Sequence, residues 1–324
     1  MKVDLDKIVD VLSASKKVVI AGHVKPDGDA IGSCFALGLG LKKMGKEPIV
    51  LLESCNDKYS IIEGKEFLYD GNLDDLVDFD VFVSLDTSTP ARLGFTEAVL
   101  KRAPISICVD HHLVSEKFCD LNYIDSNSSS TSELMYDILA KLVMLDTKIA
   151  TALYAGMVYD TNGFCHNSTT RETHYRAGTL LDFKINFNEI YNEFFYMHTI
   201  IEAKIFAVAI NNLEILADYP VAYTFVTKEE MEKLGAKAQD TDGIASYVLN
   251  TRGIEVGLFV YPLPGEGMKV ALRSKGIDIR VIAERFGGGG HKLAAGANIE
   301  SDNIEEVVSK VLEEIKKEIK LNNE

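Results

Sequence analysis

The sequence predicts an α/β protein: an N-terminal domain built on a mostly parallel sheet, a smaller α/β domain at the C-terminus, and a cleft between them. Three observations carry this expectation. Short β-rich runs alternate with helical patterns through the first half, as they do when helices cover a parallel sheet. Three of those runs end in an aspartate or histidine that is followed at once by a turn. After a long helical stretch, strand patterns return beyond residue 217. With 324 residues, 47% of them hydrophobic, the chain has material for two cores.

Taken in order, the strand candidates of the first half are residues 18–21, 48–52, 80–85 and 105–109, each an apolar run rich in Val and Ile. Residues 30–44 between the first two have helical composition. Ser130-Thr131-Ser132-Glu133 has the form of a capping box and opens a helix that should run through Leu142. Residues 149–159 read as helix, because the run is long and alanine-rich, and it delivers Asp160 to a turn. We expect a first domain over residues 1–186, a helical connector over 187–217 and a second domain over 218–324. In the second domain, residues 221–226, 253–261 and 268–272 read as strands, and 277–285 and 303–320 as helices. The last of these, with its Glu and Lys pairs, reads as a solvated face that supports the fold.

Composition excludes several classes. No apolar run approaches the roughly 20 residues that span a bilayer, and the acidic start, Met1 to Asp6, lacks the basic and apolar regions of a signal peptide. A cytoplasmic location is expected. Five cysteines, an odd number without a C-x-x-C pair, read as small core residues in a reducing compartment. A formal charge of −15 works against long duplex nucleic acid, whose binding depends on Lys and Arg at many phosphates. A substrate with few phosphates stays compatible if metals or a local basic cluster compensate its charge. A homodimer is compatible with the sequence.

The chemistry concentrates at strand ends. The first run leads into Gly22-His23-Val24-Lys25-Pro26-Asp27-Gly28-Asp29-Ala30, the third ends at Asp86, and the fourth ends at Asp110-His111-His112. Ligands of open α/β sheets bind beyond the carboxyl ends of the strands, so these groups should converge. Singly, each has an ordinary explanation: Asp27-Gly28 as a turn, Asp86 as a helix N-cap, the histidines as surface residues. Together they form a cluster of carboxylates that repel one another unless cations neutralise them. Two divalent cations would do so, would clamp the oxygens of a phosphoryl group and would generate hydroxide at neutral pH. Carboxylates with two imidazoles and no thiolate suit Mn²⁺, with Mg²⁺ or Co²⁺ as substitutes.

The segments HVKPDGDAIGS, SLDTS, DHH and DTNGF, in this order and spacing, resemble the four motifs of the DHH phosphoesterase superfamily. The resemblance implies that His23, Asp27 and Asp86 hold one metal and that Asp29, Asp86, His111 and Asp160 hold the other, with Asp86 bridging. It leaves His112 for the scissile phosphate or leaving oxygen, and Asp110 for orienting a neighbouring imidazole. Arg92, after the second motif, would contact substrate or make a structural ion pair. His166, His174 and His198 have no convergent partner and read as ordinary. The fourth motif departs from the pattern at Asn162, where relatives usually carry glycine, and Cys119 stands where glycine is frequent.

In the second domain, Arg273-Ser274-Lys275 precedes a helix that leads into Gly287-Gly288-Gly289-Gly290-His291. A glycine run alone suggests a flexible loop. Beside a basic cluster of Arg273, Lys275, Arg280, Arg285 and Lys292, it also suits a phosphate cradle of bare backbone N–H groups. The segment is similar to the glycine-rich motif of the DHH-associated C-terminal domain, which implies substrate binding by Arg273, Ser274, Lys275, Gly288, Gly289, Gly290 and His291. The resemblance therefore implies a nanoRNase-like bifunctional oligoribonuclease and 3′-phosphoadenosine 5′-phosphate phosphatase, acting also on linear dinucleotides. An inorganic pyrophosphatase would share the metal motifs but not the glycine segment, and a non-hydrolytic sensor of cyclic dinucleotides or other nucleotides would share the pocket. A dinucleotide-dependent oxidoreductase is disfavoured, because Gly38-Leu39-Gly40 lies inside a helical pattern and lacks the third glycine of the fingerprint.

Overall fold

The structure is a computed structural model that describes residues 5–55, 57–265 and 267–323, so the acidic start is described only from Leu5 onward. The chain divides into two compact units, Met1–Met197 and His198–Glu324.

In the first unit, β1 (Lys17–Ala21), β2 (Glu47–Leu51), β3 (Val81–Leu85), β4 (Ser106–Asp110) and β5 (Leu121–Ile124) form one sheet in the order β2-β1-β3-β4-β5. Every neighbouring pair is parallel. The four expected strands are present within a residue or two. β5 escaped the sequence reading because it is four residues long, only half-buried and interrupted by Asn122. Chain order reverses between β1 and β3, so this sheet has a topological switch point, with Gly22-His23 beyond one strand and Asp86 beyond the other.

One face of the sheet carries α1 (Leu5–Ala14), α2 (Gly28–Lys43), α4 (Thr131–Leu142) and α5 (Thr147–Asp160) around a single large core; α6 (Arg171–Leu181) and α7 (Phe187–Tyr191) add to it. The other face is covered by a smaller cluster that includes Val99 of the short helix α3 (Glu97–Leu100). Helix α2 buries nearly its whole surface, as a helix apolar on all sides must. It crosses α5 at two glycines. A Cβ on Gly32 would lie 2.6 Å from the carbonyl oxygen of Ala152, and one on Gly156 would collide with the Ser132 hydroxyl and lie 2.8 Å from Asp29 Oδ1. Only hydrogen at both positions lets the helices meet this closely.

The expected helical run over 187–217 is interrupted. After α7, residues Asn192–Tyr196 form one wide π turn, Met197 is extended, and Thr199 caps a new helix, α8 (Ile200–Asn211). The boundary between the compact units falls inside this run.

The second unit is a six-stranded sheet in the order β10-β11-β9-β8-β7-β6. Its strands are β6 (Glu214–Ile215), β7 (Val221–Phe225), β8 (Val256–Leu263), β9 (Gly267–Ser274), β10 (Gly289–His291) and β11 (Ala294–Ile299). Only β7 and β8 pair in parallel. One core lies between the sheet, α11 (Arg280–Arg285) and α12 (Ile304–Asn323); a second includes residues of α8, α9 (Lys228–Leu234) and α10 (Ile244–Leu249). Helix α12 does more than present a solvated face: Val307, Val311, Ile315 and Ile319 are buried, and Glu314 and Glu318 hold Arg285 at 2.8 and 3.0 Å. No helix among the described residues is long and apolar enough to cross a membrane.

The glycine crossing yields a prediction. Gly156→Ala forces extra volume against Ser132 and Asp29, an overpacking cost of about 1–3 kcal/mol. The melting transition of the N-terminal unit is expected to fall by about 5 °C, read by calorimetry against wild type.

Candidate dimetal centre

Each candidate ligand leaves a regular element at a defined place. His23 follows β1 and is buried, with Nδ1 against its neighbour's carbonyl, Val24 O, at 2.8 Å. That contact turns Nε2 toward two carboxylates, Asp27 Oδ2 at 3.7 Å and Asp86 Oδ2 at 3.5 Å. Asp27 caps α2: its Oδ1 accepts from the backbone N–H of Asp29 and Ala30, which leaves Oδ2 for His23. Asp86 follows β3 with φ +56°, a left-handed conformation costly for a residue with a side chain. Its other oxygen, Oδ1, lies 3.5 Å from His111 Nε2, and His111 in turn is 3.4 Å from Asp160 Oδ2.

Asp29 is fully buried in the first turn of α2. It accepts from Thr131 N–H at 2.6 Å and Ser132 N–H at 2.8 Å, so the N-terminus of α4 points at this carboxylate. Asp160 is the last residue of α5. The turn after it, Thr161-Asn162-Gly163-Phe164, has three successive positive φ angles, at Asn162, Gly163 and Phe164. Asn162 adopts φ +48°, a conformation that asparagine tolerates better than most residues, which accounts for asparagine where the motif usually has glycine.

All six expected ligands come together. Potential ligand atoms of His23, Asp27 and Asp86 lie within 4.8 Å of one another, as do those of Asp29, His111 and Asp160. Asp86, His111 and His112 form a third such group, but there His112 Nδ1 is already held by Asp110 Oδ1 at 2.7 Å. The imidazole that Asp110 orients is thus His112, whose Nε2 has no hydrogen-bond partner among the described residues.

Electrostatics fit divalent cations. Burial, reinforced by the charges of Asp86 and Asp160, pushes the Asp29 carboxyl well up, and burial with Asp86 and Asp27 pushes Asp160 up to about 7. Burial opposes charge on His23, yet the hydrogen bonds to Asp27 and Asp86 raise it to about 10. Asp29 and Asp160 are thus pushed toward their protonated forms, whereas, against burial, the hydrogen bond to His23 holds Asp27 down. A carboxylate and imidazole donor set without thiolate is one that hard divalent cations accept.

Several residues of the site were not evident in the sequence. Thr131 Oγ1 donates to Asp86 Oδ1 at 3.1 Å, so this residue touches both Asp29 and Asp86. The run Ser128-Ser129-Ser130-Thr131-Ser132 was its signal, read only as a helix start. Ser130 does cap α4 through Glu133 N–H, but Glu133 does not close the box: its carboxylate accepts from Ser129 N–H, Ser129 Oγ and Thr173 Oγ1 instead. Tyr159, before Asp160, packs against Gly28 and Tyr59, with the Lys58 ammonium 5.0 and 5.4 Å from the Tyr59 and Tyr159 ring centres. Arg92 makes no ion pair among the described residues. Its side chain is exposed and its charge is felt at His112. His166 Nδ1 lies 3.1 Å from Asp160 O, and the His174 ring meets that of Phe164 at a 40° tilt, 5.2 Å between centres.

In the second unit a cavity of about 360 Å³ is lined by Arg273, Gly289, Lys269, Tyr261, Asp242 and Ser246, among others. Of the residues singled out there in the sequence, Arg273 and Gly289 line it. Ser274 is buried and its hydroxyl accepts from Gly276 and Ile277 N–H, while Lys275 Nζ donates to Ile254 O. The glycine run is not a loose loop. Gly287 and Gly290 have positive φ, Gly288 packs against the backbone of Gly296, and Gly289–His291 pairs with Ala294–Gly296 as a hairpin that leaves His291 exposed. The basic cluster disperses in space, because Arg280 lies 3.3 Å from Asp278 and 3.8 Å from Glu284, and Arg285 turns to α12.

Comparison with known proteins agrees with this architecture. Residues 17–157 match the DHH family, N-terminal domain, and residues 218–318 match the DHHA1 domain. The Bacillus subtilis bifunctional oligoribonuclease and PAP phosphatase NrnA is 28% identical over 311 residues, 91% of this chain and 93% of its own length. Mycoplasma genitalium MG371, a protein of uncharacterised function, is 30% identical over 87% of this chain and 86% of its own length. The crystal structure of an exopolyphosphatase-related protein from Bacteroides fragilis superposes with a TM-score of 0.90 at 28% identity, covering 100% of this chain and 98% of that one. The chain belongs to the DHH family of phosphoesterases, with an N-terminal DHH domain and a C-terminal DHHA1 domain.

Proposed function

We propose that this protein is a manganese-dependent phosphoesterase of the cytoplasm that hydrolyses short 5′-phosphorylated oligoribonucleotides to mononucleotides, with linear dinucleotides and 3′-phosphoadenosine 5′-phosphate as further substrates. The observation that carries the reading is the Asp86 carboxylate, whose two oxygens face two different groups of ligand atoms. His23, Asp27 and Asp86 Oδ2 would hold one cation; Asp29, Asp86 Oδ1, His111 and Asp160 would hold the second. When bound, such a pair neutralises phosphoryl oxygens and makes water a nucleophile at neutral pH. The substrate class is supported by the likeness to NrnA over nearly the whole chain, and the location by the buried free thiols of Cys34 and Cys108.

The chain's own groups have the remaining tasks. Asp110 fixes the ring plane of His112 and favours a proton on Nδ1, which leaves Nε2 to meet a phosphate or leaving oxygen. The same hydrogen bond raises His112, so a charged ring, able to donate, is favoured. Arg92, without a carboxylate partner among the described residues, is suited to a substrate phosphate. In the C-terminal domain, Arg273 and the hairpin at Gly289 would take the nucleotide's phosphate, with Tyr261 in the same wall available to the rest of it.

The purified protein with Mn²⁺ is tested against 5′-phosphorylated di- to pentanucleotides, a fifty-nucleotide RNA, 3′-phosphoadenosine 5′-phosphate and pyrophosphate. Mononucleotide release from the short RNAs, abolished by chelator, is expected. Cleavage of pyrophosphate alone, or tight nucleotide binding without turnover, overturns the reading. Asp86→Ala removes the ligand common to both groups, so calorimetry should show neither cation bound and activity should fall by more than about a hundredfold, beyond the usual effect of an outer-layer change. Arg92→Gln should cost about tenfold or more in kcat/KM, the loss of one charge-assisted hydrogen bond, with cation binding unchanged. His291→Ala should likewise lower oligonucleotide turnover while the cation isotherm stays that of wild type.

A further inference from the structure

We propose that Thr131 is a positioning residue that fixes the orientation of Asp86 and Asp29 before any cation arrives, and that Arg176 anchors it through Glu133. This rests on the reading of the site as a cation centre and adds to it the layer that sets its geometry.

Thr131 is the first residue of α4 and is fully buried. Its backbone N–H holds Asp29 Oδ2 at 2.6 Å and its hydroxyl holds Asp86 Oδ1 at 3.1 Å. No other residue among those described bonds to both carboxylates. Asp86 needs such a partner, because its backbone is in the left-handed region and its side chain lies between imidazoles, with both oxygens about equally attractive to each. A carboxylate free to rotate would present its oxygens to one group of ligands at the other's expense. The hydroxyl bond selects the rotation in which Oδ1 faces His111 and Oδ2 faces His23, and still leaves lone pairs for coordination.

Thr131 can act this way only if its own backbone is fixed. Ser128 Oγ donates to Ser130 O, Ser130 Oγ caps Glu133 N–H, and Ser129 gives both its N–H and its hydroxyl to Glu133 Oε2. Glu133, itself buried, is matched by Thr173 Oγ1 at 2.9 Å and Arg176 Nη1 at 3.1 Å. Arg176 forms a two-pronged bond to Asp137, Nε to Oδ1 at 3.0 Å and Nη2 to Oδ2 at 2.8 Å, so it cannot swing away from Glu133 without breaking that fork. Helix α6 thus braces the start of α4, and the start of α4 braces the two carboxylates.

Calorimetric titration of the metal-free protein with Mn²⁺ tests this directly. Thr131→Val keeps the shape and the backbone N–H but removes the hydroxyl, and about a tenfold weakening of cation binding is expected. Thr131→Ser, which restores the hydroxyl, should bring the isotherm back to within about twofold of wild type. Thr131→Val with a wild-type isotherm overturns the proposal, and so does failure of Thr131→Ser to rescue. Arg176→Gln leaves both carboxylates and Thr131 in place and reports should Thr131→Val not fold. It is expected to weaken binding by about threefold, and an unchanged isotherm there refutes the anchor. If the wild-type protein itself binds no divalent cation, the reading of the site as a cation centre fails instead.

Discussion

The Asp86 carboxylate sits between two imidazoles, at 3.5 Å from His23 on one oxygen and 3.5 Å from His111 on the other, with Asp27, Asp29 and Asp160 around them. Four carboxylates gathered this closely, some fully buried, repel one another, and in the absence of compensation the cluster would open. The architecture of the first unit can be read as the set of devices that offsets that repulsion. The sheet places Asp86 at a switch point, where strands diverge and leave room. Helix α4 directs its N-terminus at Asp29. The histidines supply positive charge when protonated, and a pair of cations would supply more.

Gathering the carboxylates also requires that α2 and α5 approach closely, since one carries Asp29 and the other Asp160. Asp29 lies one turn before Gly32 in α2, and Asp160 lies one turn after Gly156 in α5. The closest approach of the helices is therefore one turn from both ligands, where a small change in helix separation is transmitted almost undiminished to them. The same region holds most of the first unit's strained backbone near the site: Asp86 and the turn after Asp160. Strain is tolerated there because the packing of α2 against α5 leaves the chain no alternative path.

Much of this was legible in the sequence. Buried parallel strands read as unbroken apolar runs, and the residues just beyond them are conspicuous, which is why His23, Asp27, Asp29, Asp86 and His111 could be placed at one edge from strand ends alone. Asp160 lies at a helix end instead, and its place depended on the resemblance. What stayed hidden was whatever depends on partners distant in sequence. Glu133 has the spacing of a capping box, yet Arg176 and Thr173 draw its carboxylate elsewhere. Arg280 and Arg285 look like part of a basic patch, but one pairs within its own helix turn region and the other reaches α12. The apolar run after Phe187 has helical composition throughout, and composition does not reveal a π turn or the extended Met197 that ends it.

The distribution of arginines bears on substrate size. With a formal charge of −15, the chain repels polyanions at long range. Much of the basic cluster marked in the sequence is engaged internally: Arg280 on Asp278, Arg285 on Glu314 and Glu318, and Lys275 on the Ile254 carbonyl. Arg92 and Arg273 have no carboxylate partner among the described residues, and each lies beside a feature already marked by chemistry, the His112 ring in one unit and the cavity at Gly289 in the other. Attraction of this kind is local and few-pronged. It suits a ligand with one or two phosphates, whereas a long strand would add further phosphates to a chain whose formal charge is already −15. The proposed preference for short oligonucleotides is thus supported by where the positive charge remains available, independently of the catalytic groups.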